Sequence, residues 1–405
     1  MKTLYETLKE RGYIAQVTHE EQVERLLNQE KIHFYIGFDP TADSLHVGHF
    51  LTMMVMSHMQ RHGHTPIALL GGGTGMVGDP SGRTDMRKMM TPQTIENNAN
   101  AIKEQMKRFI SFENDQAIMD NNANWLMELN YVQFLRQYGA HFSVNRMLTA
   151  DAYKSRLEQG LTFLEFNYMV MQAYDFLELF ERYNCVLQMG GRDQWSNIIA
   201  GVELIRRTKT KEAYGLTLTL LETSTGDKMG KTAKGTLWLD AEKTTPYEFY
   251  QYFRNVEDAS VINCLKMLTF VEMEKINEMA ELSGQDMNIA KTLLAYEVTK
   301  LVHGEEEAKK AQDSAKSLFE DSTIEASSIP TYYLEKHQLD ITIESLLVTT
   351  GLAKSKTEAR RLLSQNGIKI DGQIVTDEQH KISKAVMIQK GKKTFCKIEV
   401  ILFAI

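Results

Sequence analysis

Two short apolar runs near the N-terminus constrain the fold of this chain more than any other feature of its sequence. Residues 33–38 (HFYIGF) run into a turn-forming Asp-Pro pair, and residues 66–70 (PIALL) run into the small residues GGGTG. Between them, residues 44–61 carry apolar side chains at helical spacing. Two parallel strands need a crossover of this kind, so the pattern predicts an α/β protein built on a parallel sheet. A further strand is predicted at residues 184–189.

The rest of the chain divides into segments of different character. One helix is predicted over residues 4–28, where apolar residues recur at helical spacing. Residues 246–326 are also predicted to be helical, since they contain few glycines and no proline after the first position. A segment with Ser-Ser-Ile-Pro then predicts a linker over residues 327–340. Residues 341–405 are predicted to form a helix rich in basic residues and several short strands.

The composition excludes several classes of protein. Charged residues make up 24% of the 405 residues and the formal net charge is -7, which is ordinary for a globular chain. No apolar run reaches the roughly 18 residues needed to span a bilayer. The charged N-terminal residues lack the apolar core of a secretory signal. Cys185, Cys264 and Cys396 are far apart, which predicts a reducing, cytoplasmic setting and neither a disulfide framework nor a cysteine metal site.

The net negative charge argues against a protein that binds nucleic acid over its whole surface, but it averages over unlike parts. Residues 351–405 contain 11 Lys and Arg against five Asp and Glu. Such a concentration of positive charge suits contact with an RNA backbone. A solvated basic surface is the alternative, and the charge count alone does not separate the two.

A pair of histidines follows the first predicted strand. His46 and His49 are three residues apart and share one face of the first helical turn, which Asp43 or Ser44 is predicted to cap. A helix N-terminus attracts anions, and two imidazoles add hydrogen-bond donors for a phosphate. Gly48 allows a flat nucleotide base to approach the backbone. Taken alone, such a pair is more often structural, and zinc is not expected because no further ligand is near.

A second cluster, at residues 226–232, reads GDKMGKT. Lys228 and Lys231 lie three residues apart in a small, polar segment that is predicted to be a mobile loop. Two lysines in such a loop can close over a polyphosphate as point charges. Alone, this cluster reads more simply as a solvated basic turn.

Together, the His-x-Gly-His and Lys-Met-x-Lys-Thr patterns form the signature pair of class I aminoacyl-tRNA synthetases. Four further segments closely resemble the bacterial tyrosyl-tRNA synthetase family, and the resemblance runs in order through essentially the whole chain. These segments are residues 35–46 (YIGFDPTADSLH), 71–83 (GGGTGMVGDPSGR), 168–175 (YMVMQAYD) and 190–195 (GGRDQW).

The resemblance implies a three-part α/β architecture. It consists of a Rossmann-like parallel-sheet catalytic domain, then an α-helical domain and a small α+β domain like the RNA-binding module of ribosomal protein S-four. The expected divisions are the catalytic domain at 1–222, the KMGKT loop and its connection at 223–247, an anticodon-binding helical domain at 248–326, a linker at 327–340 and the S-four-like domain at 341–405.

The resemblance also implies that the chain activates tyrosine with ATP and transfers it to tRNA(Tyr). Tyr35 and Asp175 match the positions that hold the substrate hydroxyl, and a buried carboxylate needs such partners. The residues that match the ammonium-binding positions are Asp79, Tyr168 and Gln172, and Gln194 lies near the acyl adenylate. Tyr168 and Gln172 are four residues apart and fall on one helical face.

Further positions match the nucleotide site. The catalytic residues implied are Thr41, His46, His49, Arg83, Arg87, Lys228 and Lys231, and the ATP-binding residues implied are Gly37, Asp39, Gly48, Gly191, Asp193 and Lys231. The glycine-rich loop at residues 71–75 lacks the Gly-Lys-Ser/Thr ending of a P-loop, so that alternative is rejected. Mg²⁺ is expected with the nucleotide, bound mainly through phosphates and water, and no protein metal site is expected.

The RNA-binding residues implied lie in the basic C-terminal segment and are Lys354, Lys356, Arg360, Arg361 and Lys369. Residues 125–142 match a dimer interface, which predicts a homodimer, although the same apolar side chains suit an internal core equally well.

Three alternatives remain at this point. A tryptophanyl-tRNA synthetase is disfavoured by Tyr35, Asp175 and the C-terminal module. A nucleotidyltransferase with the histidine motif would not need the lysine loop. A non-catalytic RNA-binding or regulatory relative would commonly lose one of the two motifs, and both are intact here.

Overall fold

The computed structural model describes residues 2–81, 90–223, 226, 229–232, 235–320, 331–335, 340–391 and 394–401. These residues form two compact units. The first comprises Met1–Lys231, Thr236–Lys243 and Val256–Leu294, and the second comprises Thr232–Gly235, Thr244–Asn255 and Ala295–Ile405. Within the described residues, no helix is both long and apolar enough to cross a membrane.

The helices and strands follow in chain order. The helices are α1 (Leu4–Glu10), α2 (Glu20–Gln29), α3 (Val47–Arg61), α4 (Thr74–Val77), α5 (Pro92–Met106), α6 (Ala123–Leu126), α7 (Tyr131–Gln137), α8 (Val144–Leu148), α9 (Asp151–Leu157), α10 (Phe163–Phe166), α11 (Tyr168–Tyr183), α12 (Trp195–Lys209), α13 (Pro246–Arg254), α14 (Asp258–Leu268), α15 (Met273–Ala280), α16 (Met287–His303), α17 (Glu305–Glu320), α18 (Ile343–Thr349) and α19 (Lys356–Ser364). The strands are β1 (Ile14–Val17), β2 (His33–Phe38), β3 (Thr65–Leu70), β4 (Ile118–Asn121), β5 (Cys185–Gly191), β6 (Tyr214–Leu218), β7 (Lys231–Thr232), β8 (Gly235–Thr236), β9 (Thr331–Glu335), β10 (Ile341–Thr342), β11 (Ile368–Ile370), β12 (Gln373–Ile374), β13 (Lys381–Ile382), β14 (Val386–Lys390) and β15 (Thr394–Ile401).

The first unit is built on a six-stranded sheet with the order β1-β6-β5-β2-β3-β4. Every neighbouring pair is parallel except β1 with β6, which is antiparallel. The predicted α/β class and parallel sheet are confirmed, and β2, β3 and β5 coincide with the three predicted strands. The carboxyl ends of the parallel strands therefore meet along one edge, where ligands bind in folds of this kind.

The prediction of one helix over residues 4–28 is wrong. Helix α1 ends before Gly12, whose φ of +82° is a left-handed conformation that glycine adopts without steric cost. The chain then forms β1, whose Ile14 lies opposite Leu218 of β6, before it enters α2. The helical spacing belonged to two shorter helices that are separated by an edge strand.

Helices α3 and α11 supply much of the apolar core of the first unit. Buried methionines of α3, including Met53 and Met54, are fully inaccessible to solvent. On α11, Phe176 packs its ring against Tyr35 of β2 at a centroid distance of 5.4 Å. Complete burial of such side chains contributes roughly 1.5–3 kcal/mol each. This packing fixes the end of β2 relative to α11, and both elements carry predicted site residues.

The second unit contains a five-stranded sheet with the order β12-β11-β14-β15-β9. Strand β9 falls within the range predicted as a linker, yet it pairs in parallel with β15. Helices α18 and α19 contribute Leu346, Leu347 and Leu363 to a core shared with Ile368 and Ile398. The helices and strands confirm the predicted mixed character of this C-terminal region. The predicted three-part division of the chain stays a prediction.

Candidate active site at the carboxyl ends of the parallel strands

A cleft of about 660 Å³ opens where β2, β3, β5 and β6 end. The structure brings most of the predicted site residues into its lining. These are Tyr35, Gly37, Asp39, Thr41, His46, Gly48, His49, Asp79, Tyr168, Gln172, Asp175, Gly191, Asp193 and Gln194. Arg83, Arg87, Lys228 and the side chain of Lys231 lie outside the described residues.

A buried carboxylate and a buried hydroxyl lie near one another in the lining of the cleft. Asp175 is 2% exposed and accepts hydrogen bonds from the Trp125 indole at 2.7 Å and the Asn122 amide at 2.9 Å. Burial raises the pKa of Asp175 to about 8, although these two hydrogen bonds oppose the rise. Among the described residues, the buried Tyr35 hydroxyl has no hydrogen-bond partner. Burial, and then the charge of Asp175, hold the pKa of Tyr35 well above its usual value. A hydroxyl and a carboxylate so placed suit recognition of a phenol.

A second carboxylate, Asp79, lies in a polar network. Its Oδ1 accepts a hydrogen bond from the Ser81 backbone N–H at 2.9 Å, and its Oδ2 accepts one from Gln194 Nε2 at 2.6 Å. Burial raises the pKa of Asp79 to about 6, and the hydrogen bonds from Ser81 oppose it. Asn197 Nδ2 extends the network to Gln172 Oε1 at 3.2 Å and Gln194 Oε1 at 3.1 Å. Carboxylate and amide oxygens together suit an ammonium group.

Tyr168 has a different partner from the one that its predicted role suggests. Its hydroxyl donates to Asp39 Oδ2 at 2.9 Å, and Thr74 Oγ1 donates to Asp39 Oδ1 at 2.8 Å. Asp39 therefore connects the end of β2 with α4 and α11. This hydrogen bond fixes the Tyr168 side chain in the lining of the cleft.

The two histidines present donors at the N-terminus of α3. His46 Nδ1 accepts from the Gly48 backbone N–H at 3.0 Å, and His49 Nδ1 accepts from the His46 backbone N–H at 3.2 Å. A backbone N–H only donates, so each Nδ1 carries a lone pair and the ring proton sits on Nε2. The rings stack with centroids 4.0 Å apart. Two stacked imidazoles, each with an Nε2–H donor, lie beside a helix N-terminus, and this arrangement suits a phosphate.

The capping prediction for α3 is wrong, because His46 itself is the N-cap. The Ser44 hydroxyl donates to the backbone carbonyl of its neighbour Leu45, and Asp43 forms an ion pair with Lys243. Gly48 is explained in part by the same cap, since a Cβ there would lie 2.8 Å from Cε1 of the His46 ring. The predicted contact of Gly48 with adenine stays a prediction.

Four residues that contribute to the cleft were missed by the sequence reasoning. They are Thr74, Asn122, Trp125 and Asn197, and each makes a side-chain hydrogen bond to a predicted site residue. A buried carboxylate at Asp175 implies that donors exist. No local pattern identifies those donors, because Asn122 and Trp125 follow a strand, β4, that was not predicted.

The apolar segment at residues 125–142 is divided in the structure. Trp125 is buried and faces Asp175, whereas Tyr131 is 60% and Val132 is 71% exposed. Leu135 is also exposed, and the rings of Phe134 and Tyr138 are half-buried against the core. Part of the segment therefore belongs to the core and part presents apolar side chains to the exterior.

The predicted RNA-binding cations lie on or beside α19 and on β11. Lys354, Lys356 and Arg361 are exposed, and Lys369 is half-buried. Arg360 forms ion pairs with Glu344 at 3.0 Å and with Glu378 at 3.3 Å. Its guanidinium is thus partly neutralised by protein carboxylates.

Two family profiles match the chain. One, described as "tRNA synthetases class I (W and Y)", covers residues 27–320, and the other, a tyrosine–tRNA ligase SYY-like C-terminal domain, covers residues 321–398.

Individual proteins agree with these profiles. The chain is 58% identical to a tyrosine–tRNA ligase of Clostridium botulinum strain Hall over 99% of its length and all of that relative. It is also 58% identical to the tyrosine–tRNA ligase of Acetivibrio thermocellus, again over 99% of this chain and 100% of the relative. A solved structure of a C-terminally truncated mitochondrial tyrosyl-tRNA synthetase from Aspergillus nidulans matches with a TM-score of 0.71 and 31% identity, over 79% of this chain and 95% of that one. Two profiles that together span most of the chain, and near-complete coverage at this identity, lead to one conclusion: the chain belongs to the tyrosine–tRNA ligases, a bacterial-type family of class I aminoacyl-tRNA synthetases.

Proposed function

We propose that the cleft joins L-tyrosine to ATP, forming tyrosyl-adenylate and pyrophosphate, and that the chain then transfers tyrosine to the 3′ end of tRNA(Tyr). One observation carries this proposal: a buried carboxylate–hydroxyl pair and a stacked pair of histidine donors line the same cleft. The first suits a phenol and the second suits a phosphate, so one cleft accommodates both substrates.

Tyr35 and Asp175 recognise the substrate hydroxyl in this proposal. When ionised, Asp175 offers about four acceptor sites, so it keeps lone pairs beyond those used by Trp125 and Asn122. A substrate hydroxyl that donates to it favours the ionised form against the burial that raises its pKa to about 8. The hydroxyl of a bound tyrosine can donate to Asp175 and accept from Tyr35. Phenylalanine would leave the buried Tyr35 hydroxyl without a partner, at a cost of about 1–3 kcal/mol, and would bring no donor to Asp175.

Asp79, Tyr168 and Gln172 hold the substrate ammonium, and Gln194 lies beside the carboxyl end of the substrate. A cation close to Asp79 favours the ionised form of this carboxyl, whose burial otherwise favours the protonated form. Binding of tyrosine therefore lowers the pKa of Asp79 below its ligand-free value.

The reaction is an in-line displacement. A tyrosine carboxylate oxygen attacks the α-phosphorus of ATP, and the bond from that phosphorus to the bridging oxygen breaks as pyrophosphate leaves. The ribose hydroxyl at the tRNA 3′ end then attacks the acyl carbon, and AMP leaves. No protein nucleophile takes part, so the chain contributes positioning and donors placed where charge develops.

The residues assigned to the nucleotide either line the cleft at positions that match the family or, for Arg83, Arg87, Lys228 and Lys231, are assigned by the family motifs alone. Thr41, His46 and His49 act on the phosphates, together with Arg83, Arg87, Lys228 and Lys231. The remaining assigned residues, which contact the adenosine part, are Gly37, Asp39, Gly48, Gly191 and Asp193.

Mg²⁺ accompanies the nucleotide in this proposal. The described residues contain no group of three or more His, Cys, Asp or Glu that could hold a metal ion. Phosphates and water supply the ligands instead, as is usual for Mg²⁺ with ATP, and no step of the reaction is assigned to the ion.

The C-terminal module binds tRNA through Lys354, Lys356, Arg360, Arg361 and Lys369.

The chain works as a cytoplasmic homodimer in this proposal. The exposed apolar side chains of Tyr131, Val132 and Leu135 on α7 support a dimer interface there. Replacement of Val132 by Asp should then produce monomers in sedimentation, whereas replacement of the neighbouring polar Gln133 by Asp should have a smaller effect. A parent protein that sediments as a monomer at all concentrations would refute the dimer.

Tyrosine-dependent ATP–pyrophosphate exchange tests the enzymatic proposal directly. Exchange with tyrosine, and little with phenylalanine or tryptophan, is the expected result, followed by charging of tRNA(Tyr). Exchange that depends on tryptophan would favour the related synthetase. Absence of exchange with every amino acid, in a protein that still binds tRNA, would favour a non-catalytic relative.

A further inference from the structure

A short backbone ladder joins the entry of α3 to a segment after the lysine loop. The Leu239 N–H donates to the Leu45 carbonyl at 2.9 Å, and the Val47 N–H donates to the Leu237 carbonyl at 3.2 Å. His46 and Trp238 face each other as an antiparallel bridge between these two bonds. The backbone of Trp238 is therefore held in register with the first histidine of the motif.

The same segment is bonded to the lysine loop. The Leu237 N–H donates to the Gly230 carbonyl at 2.8 Å. Gly230 has a φ of +92°, and a Cβ there would lie 3.1 Å from Cβ of Val47. Close approach at Gly230 and the ladder at Trp238 thus hold one short stretch of chain against the beginning of α3.

The side chain of Trp238 lies beside the ring of His46. Its ring lies 6.1 Å from the His46 ring at an interplanar angle of 60°. The Lys243 ammonium lies 5.7 Å from the centroid of the indole, and Lys243 is paired with Asp43 at 2.9 Å. Two interactions therefore hold the indole in place: the Lys243 ammonium near its ring and the backbone ladder of Trp238 itself. The ring of His46 lies beside the indole held in this way.

We propose that Trp238 is a positioning residue that holds the ring of His46 in its donor orientation. The Gly48 N–H fixes one edge of that ring, and His49 stacks against its face. Contact with Trp238 restricts the remaining freedom of the ring, so His46 Nε2–H keeps its direction while charge moves between the phosphates. This inference rests on the proposed role of His46 in adenylate formation.

The expected result of Trp238→Ala is a slower rate of adenylate formation with little change in tyrosine affinity. A displacement of about 1 Å at a reacting group can cost roughly 10²-fold, so we expect a loss between about tenfold and that value. Trp238→Phe keeps a ring beside His46 and should recover most of the rate. Trp238→Leu keeps apolar volume without a ring and should resemble Trp238→Ala, which provides the test if the alanine variant does not fold.

A double-mutant cycle separates positioning from a general structural effect. Adenylate formation is measured in single turnovers for the parent, Trp238→Ala, His46→Asn and the double variant, with tyrosine affinity and thermal unfolding measured in parallel. If Trp238 acts through His46, the double variant is no slower than His46→Asn. The proposal would be overturned if the fold-loss in rate of the double variant equalled the product of the two single-variant losses. It would also be overturned if Trp238→Ala formed adenylate as fast as the parent. Inactivity of the parent itself would instead refute the proposed function.

Discussion

The indole N–H of Trp125 donates a 2.7 Å hydrogen bond to the carboxylate of Asp175, and both side chains are buried. A buried carboxylate without donors would be very costly. Hydrogen bonds from Trp125 to Oδ1 and from Asn122 to Oδ2 offset part of this cost. Each oxygen keeps acceptor capacity for a substrate. Trp125 belongs to helix α6, and the next helix, α7, carries the exposed apolar residues Tyr131, Val132 and Leu135. The substrate site and this exposed apolar surface are therefore close in sequence.

Trp125→Phe should weaken tyrosine binding. An aromatic ring remains, but Asp175 loses the hydrogen bond from the indole, which is worth about 0.5–1.5 kcal/mol and more when the carboxyl is ionised. The pKa of Asp175 should rise further, because a donor that favours its ionised form is removed. Calorimetry of tyrosine binding checks this, with Trp195→Phe as the matched control, since the described contacts include no hydrogen bond from the Trp195 indole. Equal affinities for both variants would contradict the role of Trp125.

Tyr35→Phe should change stability and binding in opposite directions. Removal of a buried hydroxyl that has no described partner should raise the free energy of unfolding of the ligand-free protein by about 1–3 kcal/mol. Tyrosine binding should weaken at the same time, by about 0.5–1.5 kcal/mol for one lost hydrogen bond. Denaturant unfolding with and without tyrosine measures both effects.

Tyr153→Phe is the control for that experiment. Tyr153 is also buried, but its hydroxyl donates to the Phe166 carbonyl at 2.7 Å. Its loss should lower stability, in contrast to the change at Tyr35. If both variants were destabilised alike, the Tyr35 hydroxyl would have a partner in solution.

Tyrosine affinity should fall as the pH drops through about 6. Burial raises the pKa of Asp79 to about 6 in the ligand-free protein. A raised carboxyl pKa means that ionised Asp79 destabilises the ligand-free fold above its unfolded pKa, and this destabilisation is fully present above pH 6. Below pH 6, binding of the ammonium must expel a proton, so affinity falls by at most about tenfold per pH unit. Titrations on either side of pH 6 test this, and Asp79→Asn should abolish the part of the dependence that is centred near pH 6, while any part due to Asp175, whose pKa is about 8, remains.

Gly48→Ala should slow adenylate formation without weakening tyrosine binding. The added Cβ would lie 2.8 Å from His46 Cε1, so the imidazole must leave its position. An off-rotamer ring costs about 0.5–1.5 kcal/mol, which corresponds to a rate loss of up to about tenfold. Gly75→Ala is the control, because its Cβ would make ordinary contacts at 3.6 Å or more. Single-turnover rates compare the two variants.

The sequence predicted those parts of the site that follow directly from strand ends and motifs. β2, β3 and β5 were predicted because a buried parallel strand is a short apolar run bounded by turn residues. Asp39, His46 and Gly191, which lie at or after the ends of these strands, were assigned to the site by resemblance to the synthetase family. Edge strand β1 was not predicted, because its four residues lie between two helical patterns and show no clear alternation of apolar and polar residues.

The interactions that tune the cleft could not be predicted in the same way. Asn197 and Asn122 reach their partners from elements far away in the chain, and their amides have no local signature. The cap of α3 shows the same limit, since Asp43 and Ser44 are good capping residues in isolation. Here Asp43 pairs with Lys243 and the Ser44 hydroxyl donates to Gln105 Oε1 at 3.3 Å, so both side chains have partners elsewhere in the fold. The N-cap residue of α3 is His46.

The parallel pairing of β9 with β15 has a consequence for synthesis. β15 lies between β14 and β9 in the sheet, yet it is translated after both of them. When β9 leaves the ribosome, its eventual partner does not yet exist, and β14 lacks the neighbour that covers one of its edges. The C-terminal sheet therefore closes in a late step rather than growing strand by strand. A nascent chain that stops before β15 would present two unpaired strand edges to other chains, which is a recognised route to aggregation.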